Sequence, residues 1–467
     1  MYILNKIKKD IHLKKIIIVA IISALIFYLL AILKHRLLQS TAYDLGLFDQ
    51  WMWLTSKGLP SYSSMTGLHM LADHGAWTLY IASLIYKIKP DLNILFISQS
   101  ASLCFTIVPL YLLCKSKGLN QKISFLIVLF WLLQPVVFNV NLFDFHPEVW
   151  SKPFIVLYYY FEENENFIKS IVCTFIILGT RDGLVLLIFG FGLEQLLKKR
   201  FGRFLMLFSI STLWFVFLNN WLYPLLNGDK GSVMALERYS KYGDTFKEIL
   251  YSLFLKPNLV ISSINWSESI FYILILFLPA FVFCKRISLF TLISGVPLII
   301  TNILSDNPLQ RDLLHQYSLP IALVIVISVV NGISQNKGKL GFEKKRFLWI
   351  LLCWFALAKP LLFIGPYLGR LNSIKPANEA FAEIPIDSNV ITTSYLVPHL
   401  SQRQFIKLPI RNNDIKSDLE VYNVLLLNPL DPGVMSNSYL QNDYLKIAKA
   451  NKWKCKKWEN NLELCKK

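Results

Sequence analysis

The stretch KIKKDIHLKKIIIVAIISALIFYLLAIL, residues 6–33, sets a basic flank against an unbroken apolar run. The run from Ile16 to Leu33 falls within the roughly 17–25 residues that a membrane helix needs. No small-residue cleavage pattern follows it, and it exceeds the apolar core of about 7–15 residues found in a removed signal peptide. It reads as an uncleaved first span. Comparable runs recur as far as Ile364, and only 17% of the 467 residues are charged while 54% are hydrophobic. A soluble chain carries roughly a quarter charged residues. The fold class expected is a polytopic α-helical membrane protein.

The formal charge of +18 would suit a nucleic-acid binder, but its distribution speaks for topology. Lysines and arginines gather in the N-terminal flank, at Lys115/Lys117/Lys122, at Lys198/Lys199/Arg200/Arg203, at Lys285/Arg286 and from Lys337 to Arg346. These clusters recur after every second span, so the positive-inside rule places them together in the cytoplasm. About eleven helices follow, near 16–33, 92–114, 123–140, 149–161, 167–180, 183–197, 204–226, 268–284, 287–304, 313–332 and 347–365. The N-terminus is then cytoplasmic and the C-terminus outside, in a plasma (inner) membrane. The spans at 149–161 and 167–180 are short and read as broken or tilted helices lining a cavity.

Unusual polar residues collect opposite the basic loops. The loop after span one holds Asp44 and Asp49 in YDLGLFDQWMW, then His69, Asp73 and His74 in HMLADHGAW. The loop after span three, NLFDFHPEVW, supplies Asp144, His146 and Glu148; span five ends in GTRDG with Arg181 and Asp182; span nine ends in LSDNPLQRDLLHQYSLP with Asp306, Arg311, Asp312 and His315. Ionisable groups at membrane depth are costly and mark a pathway or site. Four loops converging on one face are the strongest functional signal in the chain.

Each residue also carries a structural reading. Asp44 suits the N-cap of a helix over about Leu45–Lys57, and Asp49 lies about 140° around that helix from it. Leu47, Phe48, Trp51 and Trp53 suit a helix lying in the membrane interface, which would hold both acids at headgroup depth. Pro147 and Glu148 suit the first turn of span four, where a carboxylate is favoured. Asp49, His74, Asp144 and His146 form a candidate divalent-metal set, imidazole and carboxylate being ordinary ligands. Arg181 with Asp182 is either a self-neutralising pair or an anion clamp, and His315 and Tyr317 add donors. No nucleotide-binding glycine loop, nucleophile elbow or HExxH motif occurs.

Residues 227–267 form a long outer loop in which Phe246 to Leu255 reads as an amphipathic helix. From about 370 the pattern becomes soluble α/β: helix at ANEAFAEIP, strands at SNVITTS, QFIKLPI and YNVLLLNPL, a short helix at YLVPHLSQ, a helix at NDYLKIAKANK and a terminal hairpin. This predicts a small, mostly parallel sheet. The domains expected are 1–369 in the membrane, with interfacial helices over about 34–91, and 370–467 outside. His399 and Asp431 are the tempting residues of the second domain, with no constellation around them. Five cysteines fall in or beside spans, while Cys455 and Cys465 suit a hairpin disulfide if their compartment is oxidising.

YDLGLFDQ, ADHGAW, NLFDFHPE, RDGL, HQYSLP and IPIDSNVITTSYLVPHLSQRQFI together resemble the domain-of-unknown-function 2079 family of predicted membrane proteins. The resemblance spans nearly the whole chain. Many members have Lys-Glu-Asp where this chain has Thr180-Arg181-Asp182. That family is similar in layout to the C superfamily of integral-membrane glycosyltransferases. The resemblance implies a polyprenyl-phosphate-linked sugar donor, an acceptor on the outer face, and Asp44 or Asp49 as the catalytic carboxylate. A phosphate leaving group needs no second acid, so one base suffices for a single displacement with inversion. On that reading Asp44 is the base, and Asp49 a positioner or metal ligand. Arg181 and His315, with Tyr317, His74 and Trp51, bind the donor. Two other readings stand beside it: a transporter or lipid flippase, which predicts a polar pocket at mid-membrane, and a non-catalytic envelope-assembly protein, which predicts scattered carboxylates.

Overall fold

The computed structural model describes residues 10–228, 234–335, 344–360, 364–411 and 414–467. Parts of the expected loop 227–267, of the basic cluster Lys337 to Arg346 and of the last expected span lie outside the described residues.

Helical segments overlap the expected positions, and the last, Lys344–Leu357, ends before the expected 365. Six helical segments are long and apolar enough to cross a membrane: Ile11–Arg36, Asn93–Ser116, Gln121–Phe143, Phe201–Asn227, Trp266–Arg286 and Gln316–Gln335. Helices Ser151–Glu163 and Phe167–Leu178, at 13 and 12 residues, are short, as their sequences suggested. Asp10 caps the first helix by accepting from the His12 and Leu13 amides. Burial sorts the helices. Gln316–Gln335 is 89% buried over its most apolar window, while Ile11–Arg36 and Phe201–Asn227 are 22% and 17% buried. A helix apolar all round must be surrounded, and Leu319–Gln335 is so from Leu319 to Val330. It forms the centre of the bundle, and the peripheral helices turn Ile18, Leu25, Leu205 and Leu213 outward.

The sheet domain has strand order β2-β1-β3-β5-β4, with β1 Val390–Thr392, β2 Ile406–Lys407, β3 Val424–Leu427, β4 Lys454–Lys457 and β5 Glu463–Lys466. β2, β1 and β3 run parallel, and the terminal hairpin β4–β5 joins antiparallel. Cys455 and Cys465 face each other across that hairpin and form a disulfide. The expected boundary at 369/370 falls inside the continuous helix Ile364–Ala382.

One face of the sheet carries helix Ser438–Ala450, with Tyr444 and Leu445 in the core. The other face packs on the loop that follows the first membrane helix. Val390, Leu396, Val397 and Leu426 share a core with Leu45, Phe48, Trp51 and Met52. The helix expected to lie in the membrane interface is Leu47–Ser56, and Leu47 to Met52 are all buried. Its aromatics face protein because the sheet domain covers them. Gly46 sits at this junction, and a Cβ there would lie 2.8 Å from Val397 Cγ1. Overpacking of this kind costs about 1–3 kcal/mol. Gly46→Ala should therefore lower the melting temperature in detergent, and Val397→Ala in the same chain should restore most of the loss.

Candidate functional site

The site begins with a buried clamp at the end of the first membrane helix. Lys34 Nζ donates to Asp144 Oδ1 at 2.9 Å and to the Phe143 carbonyl at 2.6 Å. Asp144 Oδ2 accepts from the Thr41 amide and hydroxyl at 3.0 and 3.1 Å. The Tyr43 carbonyl lies 2.8 Å from the same hydroxyl, whose single proton is shared between it and Asp144. The clamp fixes the backbone on either side of it. Asp44 is held at φ 81°, ψ −98°, a strained conformation that L-residues rarely adopt and that clusters at functional sites. Asp44 does not cap a helix: helix Leu47–Ser56 starts after Gly46 with no side-chain cap.

The turned backbone brings Asp44 Oδ1 to 3.1 Å from His146 Nε2, with the His146 side chain fully buried and that of Asp44 30% exposed. His146 is immobilised by Gln99, whose Oε1 accepts the His146 amide at 2.9 Å, and by stacking on Phe143. Its Nδ1 lies 3.3 Å from the Asp144 carbonyl. With oxygens at both ring nitrogens, the imidazolium is the matched form. Burial pulls the His146 pKa down, but the Asp44 charge outweighs it and the net shift is upward. Burial likewise pushes Asp44 up, and His146, His74 and Arg181 together bring it below its ordinary value. The pair is an ion pair open on one side to its surroundings.

Cations and acids from the other loops surround it. Glu148, in the turn Pro147–Trp150, pairs with Arg181, and this partnership replaces the expected Arg181–Asp182 pair. Asp182 instead accepts from Tyr223 Oη at 3.0 Å. The Arg181 turn is seated from below: the Thr78 amide and hydroxyl donate to the Gly179 carbonyl at 3.0 and 2.8 Å. A Cβ at Gly179 would lie 2.1 Å from the Trp77 indole, so only glycine lets the turn approach. The Arg181 guanidinium stands 5.2 Å from the Tyr317 ring centroid. Arg238 stands 5.3 Å from the same centroid and donates to Tyr317 Oη at 3.1 Å. Two guanidinium groups thus share one phenol. Lys152, fully buried in the next helix, donates to Ser151 Oγ at 3.0 Å.

The structure does not bring every expected residue here. Asp49 is fully buried under the sheet domain, accepting from Tyr86 Oη at 2.7 Å, Ser401 Oγ at 2.6 Å and Gln402 Nε2 at 3.2 Å. Trp51 is buried in the same core, its Nε1 donating to the Leu68 carbonyl at 3.2 Å. His74 pairs with Asp73 at 2.6 Å. His315 pairs with Asp312 at 2.6 Å and is separated from His146 by the Phe143 ring between them. The candidate metal set Asp49, His74, Asp144 and His146 therefore does not assemble, because its four members face Ser401, Asp73, Lys34 and Asp44. Among the described residues the three ligating side chains that do converge are Cys455, Glu463 and Cys465, and the two cysteines are already oxidised to the disulfide. Asp431 forms a two-point pair with Arg370, and His399 stacks on His35 at 4.1 Å. Arg238, Lys152 and Tyr223 were not picked out from sequence. Of these only Lys152, a lysine just inside an apolar segment, carried a local signal.

A predicted-membrane-protein family model, DUF2079, matches residues 34–464. The chain belongs to this family. Its fold is similar to that of ArnT from Cupriavidus metallidurans. The structure of ArnT bound to undecaprenyl phosphate aligns over 96% of this chain and 97% of that one, at TM-score 0.52 and 8% identity. The apo structure aligns over 94% and 97%, at TM-score 0.52 and 9% identity. The Archaeoglobus fulgidus oligosaccharyltransferase tethered with an acceptor peptide aligns over 93% and 72%, at TM-score 0.44 and 12% identity. No curated protein matches by sequence. The family member is thus a multi-pass membrane protein whose fold is similar to that of ArnT.

Two predictions test these placements. His74 loses basicity through burial and gains more from Asp73, so its pKa rises to about 9. A folded-state pKa above the unfolded value of roughly 6.5 gives stability that is complete below about pH 6.5 and is lost as pH rises through about 9. Melting temperature should fall across that window, and His74→Gln should flatten the fall. Asp49→Ala would strand three donors, at about 1–3 kcal/mol for a buried unsatisfied group. It should lower the melting temperature in detergent.

Proposed function

We propose that this family member transfers a sugar from a polyprenyl-phosphate-linked donor to an acceptor at the sheet-domain side of the membrane, with Asp44 as the base. The observation that carries the reading is the partly exposed Asp44 carboxylate, held in a strained turn against His146 and ringed by Arg181 and Glu148. The shared fold with ArnT, crystallised with undecaprenyl phosphate, supplies the substrate class. Positive charge on the basic loops and the disulfide on the opposite domain support an extracytoplasmic site.

The acceptor oxygen attacks the anomeric carbon as the bond from that carbon to the phosphate oxygen breaks. The electron pair leaves with the phosphate, and the acceptor proton passes to Asp44. The His146 ion pair keeps Asp44 deprotonated. A weak base suffices because the attacking oxygen becomes strongly acidic as its bond to carbon forms. Arg181 and Arg238, oriented over Tyr317, stabilise the developing phosphate charge, guanidinium being suited to bidentate phosphate contacts. Glu148, the partner of Arg181, is drawn below its ordinary value chiefly by Arg181 against the opposing effect of burial. Asp49, enclosed by the sheet domain, positions the Asp44 segment from below.

Sugar release from radiolabelled polyprenyl-phosphate sugars by purified protein, with membrane extract as acceptor source, is the test. Asp44→Asn should lose about 10²–10⁴-fold in turnover, the usual contribution of a general base. The acid limb of the native pH profile should lie below the ordinary carboxylate range. His146→Gln, which removes the imidazolium, should move that limb upward. Full turnover by folded Asp44→Asn would exclude Asp44 as base.

A further inference from the structure

The loop between β3 and helix Ser438–Ala450 projects as a closed finger. Ser438 Oγ donates to the Pro429 carbonyl at 2.6 Å, joining its two ends. Between them Leu430, Val434 and Met435 are 76%, 67% and 64% exposed. A cluster of exposed large apolar side chains marks an interaction surface.

Its height relative to the membrane is set by one arginine. Arg370 Nε and Nη2 donate to the two Asp431 oxygens at 2.6 and 2.8 Å, and Arg370 Nη1 donates to the Leu38 carbonyl at 2.7 Å. Leu38 lies two residues beyond the first membrane helix, Ile11–Arg36. Asp431, and with it the finger, is therefore fixed beside the end of that helix. Leu368 and Leu371, flanking Arg370 on its helix, are also exposed.

We propose that residues 430–435 dip into the lipid headgroup and upper acyl region, making the sheet domain a membrane-inserted one. The finger also adjoins the charged cluster. Gly433 rests on Ser394 and Tyr395, and Ser394 Oγ accepts the Ala42 amide at 3.4 Å, two residues before Asp44. An inserted finger therefore forms one lateral wall of the approach from the bilayer to Asp44. The insertion rests on Arg370 and the exposed side chains, and stands whether or not Asp44 is a base.

The test uses the full chain in phospholipid nanodiscs, carrying one environment-sensitive nitrobenzoxadiazole label. Met435→Cys is labelled in a Cys284→Ser background, since Cys284 is the exposed free cysteine among the described residues. Lys446→Cys, at a side chain 78% exposed on the neighbouring helix, is the control. The label at 435 should emit to the blue of the control and be quenched several-fold more by lipids carrying a nitroxide near the headgroup. Emission and aqueous-iodide quenching equal to the control would overturn the proposal. A blue shift that ignores lipid nitroxides and vanishes in discs holding one copy would also overturn it, in favour of a contact between copies. Met435→Cys with Val434→Asp should shed most of the lipid quenching while the chain keeps its melting temperature.

Discussion

The Lys34–Asp144 pair is the constraint on which the site depends. It joins the last turn of the first membrane helix to the loop before helix Ser151–Glu163, across 110 residues of sequence. Removing one partner of such a buried pair leaves an uncompensated charge, at about 3–5 kcal/mol. Two consequences follow from keeping it. Thr41, bound to the second Asp144 oxygen, fixes the turn that drives Asp44 into positive φ. The Asp144 carbonyl, on the same residue, faces His146 Nδ1. One carboxylate that performs no chemistry thus sets the geometry of both members of the ion pair above it.

Around that pair, charges alternate so that none is left alone. Asp44 faces His146, Glu148 faces Arg181, Asp73 faces His74, and Asp182 accepts a hydrogen bond from the Tyr223 hydroxyl. In a low-dielectric setting each unit charge is felt strongly by its neighbours, which is why His74 and Arg181 contribute to the Asp44 shift without touching it. The arrangement has a polarity as well. Glu148 and Asp182 hold one side of the Arg181 turn, and Tyr317 presents Arg181 and Arg238 from the other. On the proposed function, an incoming anion would meet two guanidinium groups already oriented by Glu148 and Tyr317, so little reorganisation would accompany binding. This is the physical answer to acids placed in so apolar a segment.

Much of this was legible in the chain itself, because membranes impose period and charge rules that act locally. The apolar runs located the long helical segments, and the polar loops after spans one, three and five supplied Asp44, His146 and Arg181 to one cluster. The strand and helix pattern after residue 370 was equally local. What escaped depended on distant partners. Asp49 looked equivalent to Asp44, yet Ser401 and Gln402, about 350 positions away, enclose it. The aromatic helix Leu47–Ser56 has the composition of an interfacial helix, and only the sheet domain packed over it explains its burial. Asp144 resembled a ligand because nothing near it in sequence announces Lys34. Arg238 sits in a loop with no motif, and Tyr317 alone shows what it does.

The sheet domain is consequently part of the site's construction. Ser401 and Gln402 hold Asp49, Val397 fills the space that Gly46 leaves open, Ser394 binds the Ala42 amide, and the Arg403 carbonyl accepts from Gln50 Nε2 at 3.2 Å. These contacts run along the whole segment from Ala42 to Gln50 and enclose the side of it that faces away from the membrane helices. Asp44 is the member of that segment whose carboxylate is turned the other way, toward His146. A segment clamped from one side by Lys34 and Asp144 and from the other by the sheet domain cannot relax its strained turn by moving as a unit. The cost of holding Asp44 at positive φ is thereby spread over two domains, which is how a strained residue persists in a folded chain.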